Sequence, residues 1–336
     1  MNTKTLVTGG CGFIGSHIVA RLVKNGGSVS VLDDLSTGRY ENLPTSPLVT
    51  FHLGSVLDAA AIKRAAAGAD RIIHLASVVG MRLASADAAR AYHISAEGTA
   101  RVLAATRNKP VVVFSSSAVY PNLHGRAHHE TETLSTEAAL AYDGGQPGYA
   151  CGKVHLEHLA TEASRNGRQV LIIRPFNIIG STQLSAYGMV VPRFVEDARA
   201  GRPLQVYDDG KQTRTFGDVD TFVNCLFRLM EQAHAWLPPH NVFNIGSTEA
   251  TSVRQLAELI RNATGSAVPL HYVPYAAVFP GRYDVRSRQP DTSRLEAMIG
   301  PVEWPSITDI VQQLCSSPGT PIRSQRLMRQ DRQIAS

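Results

Sequence analysis

The chain has 336 residues, 43% of them hydrophobic, enough to bury the core of one large α/β domain or of two interlocked lobes without covalent staples. Its formal charge of +5 is spread along the sequence with one dense basic run, "IRSQRLMRQDRQ", which excludes a nucleic-acid surface as the main feature and suits a cleft for anionic small molecules. Cys11, Cys151, Cys225 and Cys315 lack CxxC or metal-ligand spacing, the N-terminus enters a strand pattern at once, and no apolar run reaches about 18 residues, so a disulfide framework, a metal module and a membrane span are excluded and a cytoplasmic protein is expected.

Strand-like and helix-like runs then alternate: "TLVTGG", "FIGSHIVARLVKNG", "SVSVLDD", "AAIKRAAAG", "RIIHLAS", "AARAYHISAEGTARVLAATR" and "VVVFSSS". A helix beginning near Tyr149 leads into a further strand, "QVLIIRPF". This order predicts an α/β fold with a doubly wound parallel sheet, and the strands are continuous apolar runs because helices cover both faces. After Asn177 the texture changes to Gly-, Pro-, Arg- and Asp-rich stretches between shorter helices such as 253–262. These predict a smaller α/β lobe over the sheet's C-terminal edge. A helix near 219–232 and the strand "NVFNIG" return to the main sheet. The expected organisation is therefore residues 1–176 with 218–246 in the large domain, 177–217 and 247–317 in the small one, and 318–336 as a basic tail.

The turn "TLVTGGCGFIGSH" places Gly9, Gly12 and Gly15 between a strand and a helix whose apolar residues Ile14, Ile18 and Leu22 repeat every four. Gly9 permits the tight turn, Gly12 lets the backbone approach a pyrophosphate at the helix N-terminus, and Gly15 lets helix and strand pack closely. Asp33 ends the next strand, where a carboxylate accepts hydrogen bonds from the adenosine ribose and repels a 2′-phosphate. NAD rather than NADP is the expected cofactor.

In "GYACGK", Tyr149 and Lys153 stand at i and i+4 and share one helical face. A phenol is a poor base at neutral pH, and a neighbouring ammonium favours its ionised form. A serine hydroxyl at the end of the central strand, in "FSSSAVYPN", can hold the same sugar hydroxyl in line for proton removal.

With these features in place the sequence resembles the extended short-chain dehydrogenase/reductases that act on nucleotide sugars, in the UDP-glucose 4-epimerase-like group. The resemblance runs from "VTGGCGFIGSH" and "VLDDLSTG" through "HLAS", "FSSSAVY", "YACGK" and "RPFNIIG" to "VPRF", "QTRTF" and "RQPDTSR". It implies a Rossmann-type sheet of seven strands, a smaller sugar-nucleotide domain and a homodimer. By the same resemblance Ser116, Tyr149 and Lys153 are catalytic. Gly9, Gly12, Phe13, Ile14, Gly15, Asp33, Asp34, Ser55, Val56, Leu75 and Ala76 join Tyr149 and Lys153 in holding NAD. Ser117, Asn177, Val191, Arg214, Arg282 and Arg288 contact a UDP-sugar, and no metal is implied.

The sequence departs from the family pattern in places. Ser55 stands where an aspartate often meets the adenine, Ser95 replaces the usual asparagine before "GT", Pro121 follows "VY" where glycine is common, and Val79 lies near a lysine position of galactose epimerases. Ser115 is expected to cap the strand end, and His124, His128 and His129 to lie on a solvated loop. Family dehydratases and decarboxylases carry a glutamate where this chain has Ala118. That absence favours 4-epimerisation of a UDP-sugar through a transient 4-keto sugar. UDP-glucuronate decarboxylation or another nucleotide-sugar modification is the alternative, since "YGMVVPRF" and "RQPDTSR" resemble decarboxylase sequences with an arginine near Arg288, where a guanidinium suits a diphosphate or a sugar carboxylate, and an NAD-sensing binding protein is the non-enzyme alternative.

Overall fold

A computed structural model describes residues 3–122, 125–143, 147–280 and 284–316. Arg282, His124 and the tail 318–336 lie outside the described residues. The first half runs β1 (Lys4–Thr8), α1 (Phe13–Lys24), β2 (Ser28–Asp33), β3 (Val49–Leu53), α2 (Ala59–Ala65), β4 (Arg71–His74), α3 (Met81–Ala86), α4 (Ala88–Ala105), β5 (Val111–Phe114), α5 (Thr136–Tyr142), α6 (Tyr149–Arg165) and β6 (Val170–Pro175). The second runs β7 (Ile178–Ile179), α7 (Val190–Arg199), β8 (Leu204–Tyr207), β9 (Thr213–Thr215), β10 (Gly217–Asp218), α8 (Val219–Met230), β11 (Val242–Ile245), β12 (Ala250–Ser252), α9 (Val253–Ala263), β13 (Leu270–Val273), α10 (Tyr275–Val278), β14 (Ser287–Arg288), α11 (Ser293–Ile299) and α12 (Ile307–Ser316). Among the described residues no helix is long and apolar enough to cross a membrane.

Seven parallel strands form the main sheet in the order β11-β6-β5-β4-β1-β2-β3, a Rossmann-type arrangement. Successive residues of each strand point to opposite faces, which the two cores make visible. Val7, Val31, Ile73, Val112 and Ile173 pack with Ile18 and Leu22 of α1 and Phe222 and Leu226 of α8. Their neighbours Leu6, Leu32, Ile72, Val113 and Ile172 pack with Ile62 of α2, Val102 of α4 and Leu156 of α6 on the other face. The chain leaves β1 toward β2 and β3 on one side and crosses to β4 on the other. The crevice at this switch point, beyond the strands' carboxyl ends, is where ligands of such sheets bind.

The strand β3 escapes the sequence pattern. Its residues "VTFHL" mix polar and apolar side chains because it is an edge strand that is only partly buried, with Leu53 67% exposed. Past Asn177 the short strands β8 and β13 pair in parallel, and β9 lies between β12 and β14. Helices α7, α9 and α12 close a third core there, built on Phe194, Leu256, Ile260 and Ile310.

Candidate active site

One cavity of about 730 Å3 opens at the switch point and extends under the small lobe. Of the residues expected from sequence, Gly9, Gly12, Phe13, Ile14, Gly15, Asp33, Asp34, Ser55, Val56, Leu75 and Ala76 line one part of it. Ser116, Ser117, Tyr149, Lys153, Asn177, Arg214 and Arg288 line the rest. Val191 does not. It is buried in the small-lobe core, and its neighbour Val190 faces the cavity instead, because one residue of rotation at the start of α7 turns the side chain from pocket to core.

The glycine cradle has the shape a dinucleotide needs. Gly9 sits at φ +72°, where a Cβ would lie 2.8 Å from the Ala76 nitrogen, and a Cβ on Gly15 would lie 2.2 Å from the Gly9 carbonyl oxygen. Both contacts are to backbone that cannot step aside, so glycine is obligatory at each. Gly12 precedes the first turn of α1, which carries no acidic residue and leaves its N–H groups to an anion. Asp33 is held in place by its neighbours: Oδ2 accepts from the Cys11 N–H at 2.9 Å and Oδ1 from the Leu35 N–H at 2.9 Å. Each oxygen keeps acceptor capacity for a ribose hydroxyl. Beneath the cradle the buried His74 Nδ1 meets Thr8 Oγ1 at 2.7 Å, and its Nε2 meets Thr99 Oγ1 at 3.0 Å. Burial pushes this imidazole down to about 3, so it stays neutral.

At the chemical end, Tyr149 opens α6 and Lys153 follows one turn later. The Lys153 Nζ donates to the Phe114 carbonyl at 2.7 Å and lies 5.8 Å from the Tyr149 ring centroid. Burial draws this ammonium down to about 7, with Glu157 opposing the fall. Burial also raises the Tyr149 phenol, the Ser116 hydroxyl lowers it and the Asp143 carboxylate raises it. The expectation for Ser115 is corrected here. Its N–H continues the ladder to the Ile173 carbonyl, but its hydroxyl is buried without a partner, while Ser116 Oγ makes the cap by accepting from the Ala118 N–H at 3.1 Å.

The part of the cavity beyond the glycine cradle is marked by buried polar atoms that no protein group satisfies. Arg288 is 6% exposed and donates from Nη1 to the Ser117 carbonyl at 2.6 Å, while its Nε and Nη2 have no hydrogen-bond partner. Asn177 Nδ2, Thr182 Oγ1 and Gln212 Oε1 are likewise orphaned, and all three residues line the cavity. Orphaned buried donors and acceptors are costly, and a ligand that supplies their partners removes the cost. Arg214 is engaged: Nη2 pairs with Asp284 at 2.7 Å and Nη1 donates to the Val285 carbonyl at 2.6 Å.

Sequence reasoning missed Thr182, Gln212, Arg193 and Asp143, all on the cavity wall. Arg193 and Gln212 belong to the quoted "VPRF" and "QTRTF", so proximity to those motifs could have found them, whereas Asp143 belongs to no motif. The expectation for His128 is overturned. It is 0% exposed, its ring stacks on Tyr120 with centroids 4.7 Å apart, and its backbone pairs with Gln289 and Asp291. His128 and Glu130 thus anchor a strap against the stretch that follows Arg288, with aromatic stacking around the imidazole, while Arg126 stays exposed and His129 half-exposed. Among the described residues no group of His, Cys, Asp or Glu is arranged to hold a metal ion.

Comparison with known proteins gives the family and the fold. Residues 5–246 match the sequence model of the NAD dependent epimerase/dehydratase family. The UDP-N-acetyl-alpha-D-glucosaminuronate decarboxylase of Bacillus cytotoxicus is 30% identical over 311 residues, 89% of this chain and 92% of that one. The UDP-glucose 4-epimerase of Mycolicibacterium smegmatis is 31% identical over 306 residues, 88% of this chain and 92% of that one. The crystal structure of Thermotoga maritima UDP-glucose 4-epimerase with UDP-glucose superposes with a TM-score of 0.80 at 26% identity, covering 92% of this chain and 96% of that one.

Proposed function

The chain belongs to the NAD-dependent epimerase/dehydratase family, and from that premise we propose that it decarboxylates a UDP-uronic acid of the glucuronate type after oxidation at the sugar's C4. The observation that carries the reading is Arg288, a buried guanidinium on the cavity wall with two nitrogens unpartnered. A buried cation of this kind fits a carboxylate, which its planar donors engage in pairs. A neutral hydroxymethyl group would offer the two unpartnered nitrogens a single hydroxyl oxygen in place of a carboxylate's paired acceptors. The decarboxylase from Bacillus cytotoxicus, similar over nearly the whole of both chains, supports the same substrate class.

Gly9, Gly12, Gly15 and Asp33 would hold NAD, which would supply the two-electron oxidation at C4 and its later reversal. The protein's part is to place and move protons. Tyr149 takes the proton of the C4 hydroxyl, Ser116 holds that oxygen, and Lys153 favours the phenolate while it carries its own charge. Arg288 fixes the carboxylate at the far end of the same sugar. Oxidation at C4 leaves the carboxylate β to a ketone, so the bond from C5 to the carboxyl carbon breaks with its electron pair passing into the carbonyl. C5 then takes up a proton. Inversion at C4 of the same uronate is the second reading, favoured by Ala118, since the strand end brings no carboxylic acid to C5.

Arg288→Met separates recognition of the carboxylate from recognition of the nucleotide. The variant is expected to lose about 100-fold in kcat/KM on UDP-glucuronate, with UDP binding by calorimetry near wild type. An unchanged kcat/KM would remove Arg288 from the substrate.

A further inference from the structure

The catalytic helix begins without a cap of its own. Gly148 precedes Tyr149 and offers no side chain, so the first-turn N–H groups of α6 need an acceptor from elsewhere. Asp143, the residue after α5, provides it: its Oδ2 accepts from the Cys151 N–H at 3.0 Å. The fit is close, because a Cβ on Gly148 would lie 3.0 Å from the Asp143 carboxyl carbon. Asp143 is 6% exposed and lines the same cavity as Ser116 and Tyr149.

We propose that Asp143 is a positioning residue for the reaction: it caps the first turn of α6 from outside the helix and brings a carboxylate to the cavity wall that Tyr149 lines. The proposal rests on the reading of Tyr149 as the base. Among the described residues, the polar groups acting on the phenol are Lys153 on its own helix, Ser116 at the end of β5, and Tyr142 and Asp143 at the end of α5. Arg288 stands beyond Tyr142 on the cavity wall. Of these only Asp143 brings a negative charge. A carboxylate beside a phenol disfavours phenolate, so it raises the pH at which the tyrosine ionises, while Lys153 in its charged form acts in the opposite sense. Asp143 thereby keeps Tyr149 protonated at a pH where Lys153 alone would begin to ionise it.

The conservative variant tests this, because Asp143→Asn keeps an oxygen for the Cys151 N–H and removes the charge. The phenolate absorbance of the NAD-loaded protein is titrated with Tyr149→Phe subtracted as blank, alongside kcat/KM on UDP-glucuronate against pH. In Asp143→Asn the Tyr149 titration and the acid limb of the profile are expected to move down by about one pH unit with Tm unchanged. Asp143→Ala should show the same shift with a lowered Tm, since it also loses the cap. A titration in Asp143→Asn that coincides with wild type, with Tyr149→Phe inactive, overturns the role of Asp143 and leaves the base in place. Turnover retained by Tyr149→Phe overturns the base reading and the inference with it.

Discussion

Replacing Tyr149 by Phe is expected to slow turnover about 10³-fold while NAD stays bound and Tm stays near wild type. The substitution removes one oxygen and keeps the ring that Lys153 faces at 5.8 Å. Lys153 is the one lysine among the described residues of the cavity wall, so no other phenol there has an ammonium one helical turn away to favour its ionised form. Single-turnover kinetics with NAD content measured on the same sample checks both halves of the expectation. Near-wild-type turnover would show that the C4 proton leaves by another route.

The second large effect is on stability. Arg174 is 2% exposed, and its Nε and Nη2 donate to the two oxygens of Glu157 at 2.8 and 2.6 Å. Its Nη1 also donates to the Tyr120 hydroxyl at 2.7 Å and the Glu130 carbonyl at 3.0 Å, and Nη2 to Thr133 Oγ1 at 2.9 Å. The Tyr120 hydroxyl donates to Asn244 Oδ1 at 2.6 Å, and Asn244 Nδ2 donates to the carbonyls of His128 and Asp291. One guanidinium therefore ties β6 to α6 and to the strap against the stretch that follows Arg288. Arg174→Met leaves the Glu157 carboxylate buried without the guanidinium that pairs both its oxygens and is expected to cost about 3–5 kcal/mol, read from the urea midpoint at unchanged slope. Adding Glu157→Leu should recover much of that loss, because the pair is replaced by apolar contacts. A single variant as stable as wild type would show that water reaches Glu157.

What the sequence disclosed follows from how local each demand is. Gly9 and Gly15 are legible because a Cβ there meets backbone a few residues away or across one sheet crossing. Tyr149 and Lys153 are legible because one helical turn joins them. Asp143 was invisible because it caps a helix across a loop, and a lone Asp in "AYDGGQ" has many possible uses. His128 was misplaced because three histidines within six residues look polar, whereas the partners that bury it, Tyr120 and Phe176, are supplied by other parts of the chain. Val191 missed the pocket by a single residue of helix phase, and β3 was passed over because an edge strand that is only partly buried need not be apolar. Ala118 and Arg288 pull in different directions: the first favours inversion at C4, the second a sugar that carries an acid. That balance follows the comparisons, where a decarboxylase and a 4-epimerase share about the same identity with this chain.

The most direct measurement is incubation of the NAD-loaded protein with UDP-glucuronate and UDP-N-acetylglucosaminuronate, beside the neutral UDP-glucose and UDP-N-acetylglucosamine, followed by mass spectrometry with isomer-resolving chromatography. The account predicts a product lighter by carbon dioxide from at least one uronate and none from the neutral sugars. A new isomer of unchanged mass, with the carboxylate retained or formed only from a neutral sugar, would contradict it.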